Sequence, residues 1–179
     1  MLKIVEWCEE NGKLLIVDES FVDFSECAES LLCNSVLERY RKSLVVVRSV
    51  SKSCGLSGLR LSILASGDVD AISVVRDNIG QWNINSVVEF ALRIFSKYES
   101  DYKDSCQRFI KGRRRLAKAL QGISFFRVVP SQSGYVMCEI KNKYTAEQLS
   151  GILIERNVQV CGQGKFVRFA VRSKDDNDK

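Results

Sequence analysis

RSVSKSCGLSGLRLS, residues Arg48 to Ser62, is the stretch on which the reading of this chain turns. It follows SLVVV (Ser43 to Val47) and runs into LRLSILAS (Leu59 to Ser66). A short continuous run of branched apolar residues predicts a buried strand of the parallel kind. Serine and glycine between two such runs predict a loop, and Lys52 sits inside it. Upstream, LLIV (Leu14 to Val17) reads as another buried strand and ends in Asp18 and Glu19. Two acids after one strand and a lysine after the next are thereby expected at one edge of a parallel sheet. Ligands of open α/β sheets bind at that carboxyl edge.

Outward from this centre, Ile4, Trp7 and Cys8 share one helical face, and Asn11-Gly12 closes that helix. Asp68 is expected to cap a helix running to Val75. A further helix follows Asn83, with Val87, Phe90, Ala91, Ile94 and Phe95 on its apolar face. A longer one covers Asp101 to Leu120 and carries KGRRR (Lys111 to Arg115). After Gly122 the pattern changes. FFRVV, YVMCEI and FVRFAVR read as strands and TAEQLSGILIE as a helix. The expected class is α/β: a βαβ-like front over 1–100, then a small α+β unit over 101–179. The boundary falls in the helical region from Ser96 to Leu120.

The 179 residues include no histidine and one proline, Pro130. Without imidazole there is no Ser-His-Asp triad, no Cys-His pair and no His-ligated zinc. Proton transfer then falls to Lys, Tyr, Cys or carboxylates. A hydrophobic fraction of 45% and a net charge of +5 are ordinary for a globular protein. Neither calls for a nucleic-acid or membrane partner. No apolar run approaches the ~18 residues of a membrane span. MLKIVEWCEENGK is amphipathic and acidic, unlike a signal peptide, so a cytoplasmic location is expected. Seven scattered cysteines, never spaced CxxC, read as small buried thiols in a reducing compartment, with no metal expected.

IVDESFVDF (Ile16 to Phe24), RSVSKSCGLSGLRLS, WNINS (Trp82 to Ser86) and FVRFAVR (Phe166 to Arg172) together carry a resemblance. The chain resembles the fold-type I pyridoxal-phosphate (PLP) enzymes, the class I/II aminotransferases. The segments come in that family's order with similar spacings. Histidinol-phosphate aminotransferases, threonine-phosphate decarboxylases and aminotransferase modules fused to nucleotidyltransferases are all similar. The resemblance covers nearly the whole chain but only the later part of a family member. It implies that 1–100 is the C-terminal part of the PLP-binding large domain, built mainly of parallel strands with helices. It implies that 101–179 is the small α+β C-terminal domain with the interdomain helix.

By this resemblance Lys52 forms the Schiff base with PLP and, once released, moves the Cα proton. Asp18 pairs with the pyridine nitrogen and keeps it protonated. Arg60 and Ser49 bind the cofactor phosphate, as suits a guanidinium and a hydroxyl facing a dianion. Ser51 is either a further cofactor ligand or a loop-shaping residue. Arg168 grips the substrate carboxylate. Arg172, four residues on, either assists it or is a solvated charge. Against these stand the plain alternatives: a solvated lysine, a loop acid, a surface arginine.

The sequence departs from the family in places. Phe21 stands where many members have a tyrosine that bonds the cofactor's ring oxygen, a change shared with threonine-phosphate decarboxylases. Gly134 stands where relatives usually have asparagine. ERNVQVCGQGKF is short and has no arginine after Arg156. The family's first strands are absent, and with them a small-residue loop on the phosphate, a ring stacked on PLP and an asparagine. An uncovered apolar face and sheet edge are therefore expected.

The expected function is amino-group transfer between an amino acid and a 2-oxo acid, in a truncated or split chain. The alternatives are a threonine-phosphate decarboxylase-like lyase and a catalytically inert remnant or interaction module. The expected partner is a second copy, as a homodimer, or a missing N-terminal half. A nucleic-acid or membrane-surface binder using Lys111 to Arg115 is the remaining class, weighed against a solvated helix face.

Overall fold

The computed structural model describes residues 1–27 and 29–178. The chain divides into two compact units. The first comprises Met1–Asp23 and Cys27–Tyr102; the second comprises Phe24–Glu26 and the residues from Lys103 onward.

The first unit contains, in order, α1 (Leu2–Glu10), β1 (Leu15–Asp18), α2 (Asn34–Arg39), β2 (Leu44–Ser49), α3 (Val50–Ser53), β3 (Ser62–Ala65), α4 (Val69–Asp77) and α5 (Ser86–Phe95). Its strands lie in the order β1-β2-β3. β1 and β2 are parallel, with Asp18 opposite Val47. β3 returns antiparallel to β2, with Ser62 opposite Ser49. The sheet is therefore mixed, with one antiparallel strand beside the parallel pair. The segment between Ser49 and Ser62 is spent on α3 and a 3-10 turn at Ser57–Leu59, not on the crossover helix a parallel return needs.

Leu44 and Val46 point into a core shared with Val5, Leu31 and Tyr40. Alternation along a strand sends the next residues to the other face. There Ile16 lies opposite Val45, and Val47 lies opposite Leu64; Ile16 is 63% exposed. The runs LLIV and SLVVV are thus covered on one face, while the other shows apolar side chains.

Asp68 caps α4 by accepting from the Ala71 N–H at 3.2 Å. Asn85 caps α5 through the Val88 N–H at 3.0 Å. In α5 it is Val88 that turns inward, while Val87 and Phe90 are exposed, so the buried face is rotated from the expected one. Gly67 is required between β3 and α4, because a Cβ there would lie 2.2 Å from the Leu37 carbonyl oxygen.

The second unit contains most of α6 (Glu99–Gln121), then β4 (Phe126–Val129), β5 (Tyr135–Ile140), α7 (Ala146–Ile154), β6 (Cys161–Gln163), β7 (Phe166–Ala170) and α8 (Lys174–Asn177). Its sheet has the order β4-β5-β7-β6, antiparallel throughout. Val136, Cys138 and Ile140 alternate inward along β5 and meet Leu116 and Leu120 of α6, Leu149 of α7 and Val167 of β7. β6 was not expected; its three residues are all exposed. Gly162 within it has no room for a side chain, since a Cβ would lie 2.7 Å from that of Ala146.

Candidate functional site

Asp18 closes β1 and Ser49 closes β2, so the two strand ends bring their loops to one edge of the first unit. One Asp18 carboxylate oxygen, Oδ1, accepts from the Ser20 N–H at 2.8 Å and from the Ser20 hydroxyl at 2.5 Å. Among the described residues the other oxygen takes no hydrogen bond. The Ser20 hydroxyl and then its N–H hold the Asp18 pKa below the ordinary 3.8. The Lys52 ammonium adds to this, while partial burial opposes it.

Lys52 is exposed on α3, its Nζ 4.7 Å from the centre of the Phe21 ring. A cation over an aromatic face is held without a proton acceptor. The Ser49 N–H donates to the Ser20 hydroxyl at 2.9 Å. Ser51 is buried, and its hydroxyl is engaged with Leu61: it donates to the carbonyl at 3.3 Å and accepts from the N–H at 3.2 Å. Arg60 adopts a left-handed backbone, φ 51°, and its guanidinium donates to the Ser57 carbonyl at 3.3 Å. Its side chain is exposed.

The second acid, Glu19, faces elsewhere. It is buried, accepts from the Ser30 hydroxyl and the Leu31 N–H at 2.6 Å each, and fastens that loop. Asp23 pairs with Arg48 and accepts from the Tyr102 hydroxyl at 2.7 Å. Sequence reasoning missed Ser20. Its signal was the D-x-S spacing, since an aspartate readily bonds the backbone N–H two residues on.

Arg168 belongs to the second unit. It lies on β7 opposite Met137 and Cys161, its guanidinium 5.3 Å from the centre of the Tyr135 ring. β7 ends at Ala170, so Arg172 lies beyond the strand, 3.8 Å from Asp176. The basic run on α6 is largely taken up internally. Arg113 is 2% exposed and donates to the Phe24 carbonyl, Glu26 and Gln132. Arg114 grips both oxygens of Glu26 at 2.8 and 2.6 Å. Arg115 pairs with Asp178 at 3.0 Å. Of the cysteines, Cys8, Cys106 and Cys138 are buried, whereas Cys27, Cys33 and Cys161 are exposed. Among the described residues there is no cluster of metal-binding side chains, and no helix is long and apolar enough to cross a membrane.

A family model for "Aminotransferase class I and II" matches residues 1–178. The L-serine phosphate decarboxylase of Sulfurospirillum multivorans is 30% identical, over 92% of this chain and 45% of its own length. Histidinol-phosphate aminotransferase 2 of Archaeoglobus fulgidus is 29% identical, over 99% of this chain and 51% of its own. The crystal structure of the histidinol-phosphate aminotransferase of Clostridium acetobutylicum shares the fold. Its TM-score is 0.86 at 24% identity, covering 99% of this chain and 55% of that one. The chain thus spans about half the length of these relatives. Members of the matched family use PLP, act on amino acids and 2-oxo acids, and are often homodimers. With the mixed sheet, the strand-end lysine and the family match over residues 1–178, the chain belongs to the class I and II aminotransferases.

Proposed function

We propose that this chain carries the lysine-bearing part of a PLP-dependent aminotransferase. The observation that carries the reading is the placement of Asp18 and Lys52 at adjacent strand ends, with one Asp18 oxygen unshared among the described residues. The donor set suits the cofactor. A carboxylate answers a protonated pyridine nitrogen, and the Ser49 hydroxyl with the Arg60 guanidinium answers a phosphate. When bound, PLP supplies an electron-accepting ring conjugated to the substrate nitrogen. Lys52 is the residue that would hold the cofactor covalently, and its amine would take or return the proton at the substrate Cα. Asp18 holds the proton on the ring nitrogen. Arg168 pairs with the substrate carboxylate, which fixes the orientation of the Cα bonds. Ser51, its hydroxyl engaged by Leu61, shapes the loop that presents Lys52.

In domain terms, 1–100 is the later part of the cofactor-binding domain and 101–179 the small domain. The apolar face with Ile16, Val47 and Leu64 supports further polypeptide packing on it, from a second copy of this chain or from the part of the large domain that the relatives also have. A cytoplasmic enzyme is the reading in keeping with these features.

Two arms test this. PLP titrated into the purified chain is expected to give an absorbance band that Lys52→Ala abolishes. Borohydride is expected to fix the cofactor to Lys52, located by peptide mass spectrometry. No uptake even at high PLP would favour the inert remnant.

A second reading, decarboxylation of a phosphorylated amino acid, is favoured by Phe21. Its ring, with no hydroxyl to offer, is the group beside Lys52, and a 30%-identical relative is an L-serine phosphate decarboxylase. Release of carbon dioxide from phosphoserine, without a requirement for a 2-oxo acid, would select it.

A further inference from the structure

The Ser20 side chain hydrogen-bonds to both strand ends. It is 6% exposed. Its hydroxyl donates to Asp18 Oδ1 at 2.5 Å and accepts from the Ser49 N–H at 2.9 Å. A hydroxyl has one proton to give and lone pairs to receive, so both bonds form at once. They run in one direction, from the Ser49 amide through the Ser20 hydroxyl to the carboxylate. The Ser20 N–H adds a second bond to the same Oδ1.

We infer that Ser20 is a positioning residue that clasps the Asp18 loop to the turn carrying Lys52 and holds the Asp18 carboxylate with one oxygen committed and the other presented outward. The inference rests on the cofactor reading above only for what the presented oxygen meets. Three consequences follow from the bonding. The carboxylate is oriented, because two donors converge on one of its oxygens. It stays ionised, because both donors favour the charged form. The spacing between the carboxylate and Lys52 is fixed, because Ser49 immediately precedes α3. The charged group acting on Asp18 is Lys52; the neighbouring Glu19 is turned to Ser30 and Leu31.

The test compares Ser20→Ala with Ser20→Thr, which keeps a hydroxyl. In the full chain labelled with 13C-aspartate, the Asp18 carboxyl midpoint is expected to rise in Ser20→Ala and to return in Ser20→Thr. Amide exchange at Ser49 is expected to quicken in the alanine variant alone. PLP affinity is expected to fall roughly tenfold in Ser20→Ala and to recover with threonine. A merely structural serine would leave the carboxyl midpoint unmoved. An unchanged midpoint, or unchanged Ser49 exchange, overturns the clasp. If the wild-type chain takes up no PLP while the midpoint and exchange respond as expected, the clasp stands and the cofactor reading fails. Should Ser20→Ala not fold, Ser20→Cys serves the same comparison, because a thiol of similar size is a weak donor.

Discussion

Arg113 and Arg114 are neighbours in one basic run, yet the fold uses them in opposite ways. The spacing Cys106, Ile110, Arg113, Leu116, Leu120 is that of a helix face directed inward. Arg113 stands on that face, and KGRRR read as a run of charges conceals it. The legible signal was a charge in register with apolar residues, and composition outweighed register. Arg113→Met keeps the aliphatic stem but removes the guanidinium that donates to the Phe24 carbonyl, Glu26 and Gln132. The expected loss is about 3 kcal/mol, read as faster amide exchange through Val136, Cys138 and Ile140. Arg114 is 63% exposed, so Arg114→Ala is expected to cost far less than Arg113→Met by the same measurement. Equal losses would contradict this division of roles.

At the scale of elements, what could be read depended on how much apolar pattern each carried. β1 and β2 are near-continuous apolar runs, and α7 has an N-terminal signature. Thr145 accepts from the Gln148 N–H at 3.3 Å, and the Gln148 side chain accepts from the Thr145 N–H at 2.9 Å. This reciprocal cap is expected to contribute about 1 kcal/mol. Thr145→Ala should speed exchange of the first α7 amides, and Thr145→Ser should restore it. β6 has no apolar residue but Cys161 and follows from pairing with β7 alone. The direction of β3 was equally hidden, because an apolar run states burial and not polarity of pairing. The Lys52 loop was found from its serine and glycine content, whereas the Ser20 bridge within it spans two loops distant in sequence. Short-range patterns do not contain such a contact.

Over the whole molecule, ionisation limits stability from both sides. Arg114, and after it Arg113, hold the Glu26 carboxyl down to about 2 from 4.5. Asp18, Asp68 and Glu147 are lowered as well, each chiefly by hydrogen bonds. A carboxyl lowered in the folded state stabilises it above the unfolded pKa. That stability is lost as pH falls through the folded value. For Glu26 the window runs from about 4.5 down to about 2. Glu26→Gln is expected to flatten the acid limb of a denaturation-midpoint-against-pH curve.

The alkaline limb has the opposite origin. Burial pushes the Cys138 thiol from 9.0 up to about 11, so between those values the unfolded chain releases a proton that the folded chain keeps. The unfolded state then binds fewer protons, and stability falls as pH rises. Tyr40, raised mainly by burial, acts in the same direction above its ordinary 10.0. Cys138→Ala is expected to lower stability at every pH by the loss of core volume. The same variant should lessen the decline between pH 9 and 11, leaving the share that belongs to Tyr40 and to Cys54, whose thiol is also raised mainly by burial. An alkaline limb as steep as the wild type's would show that the Cys138 thiol does not set it.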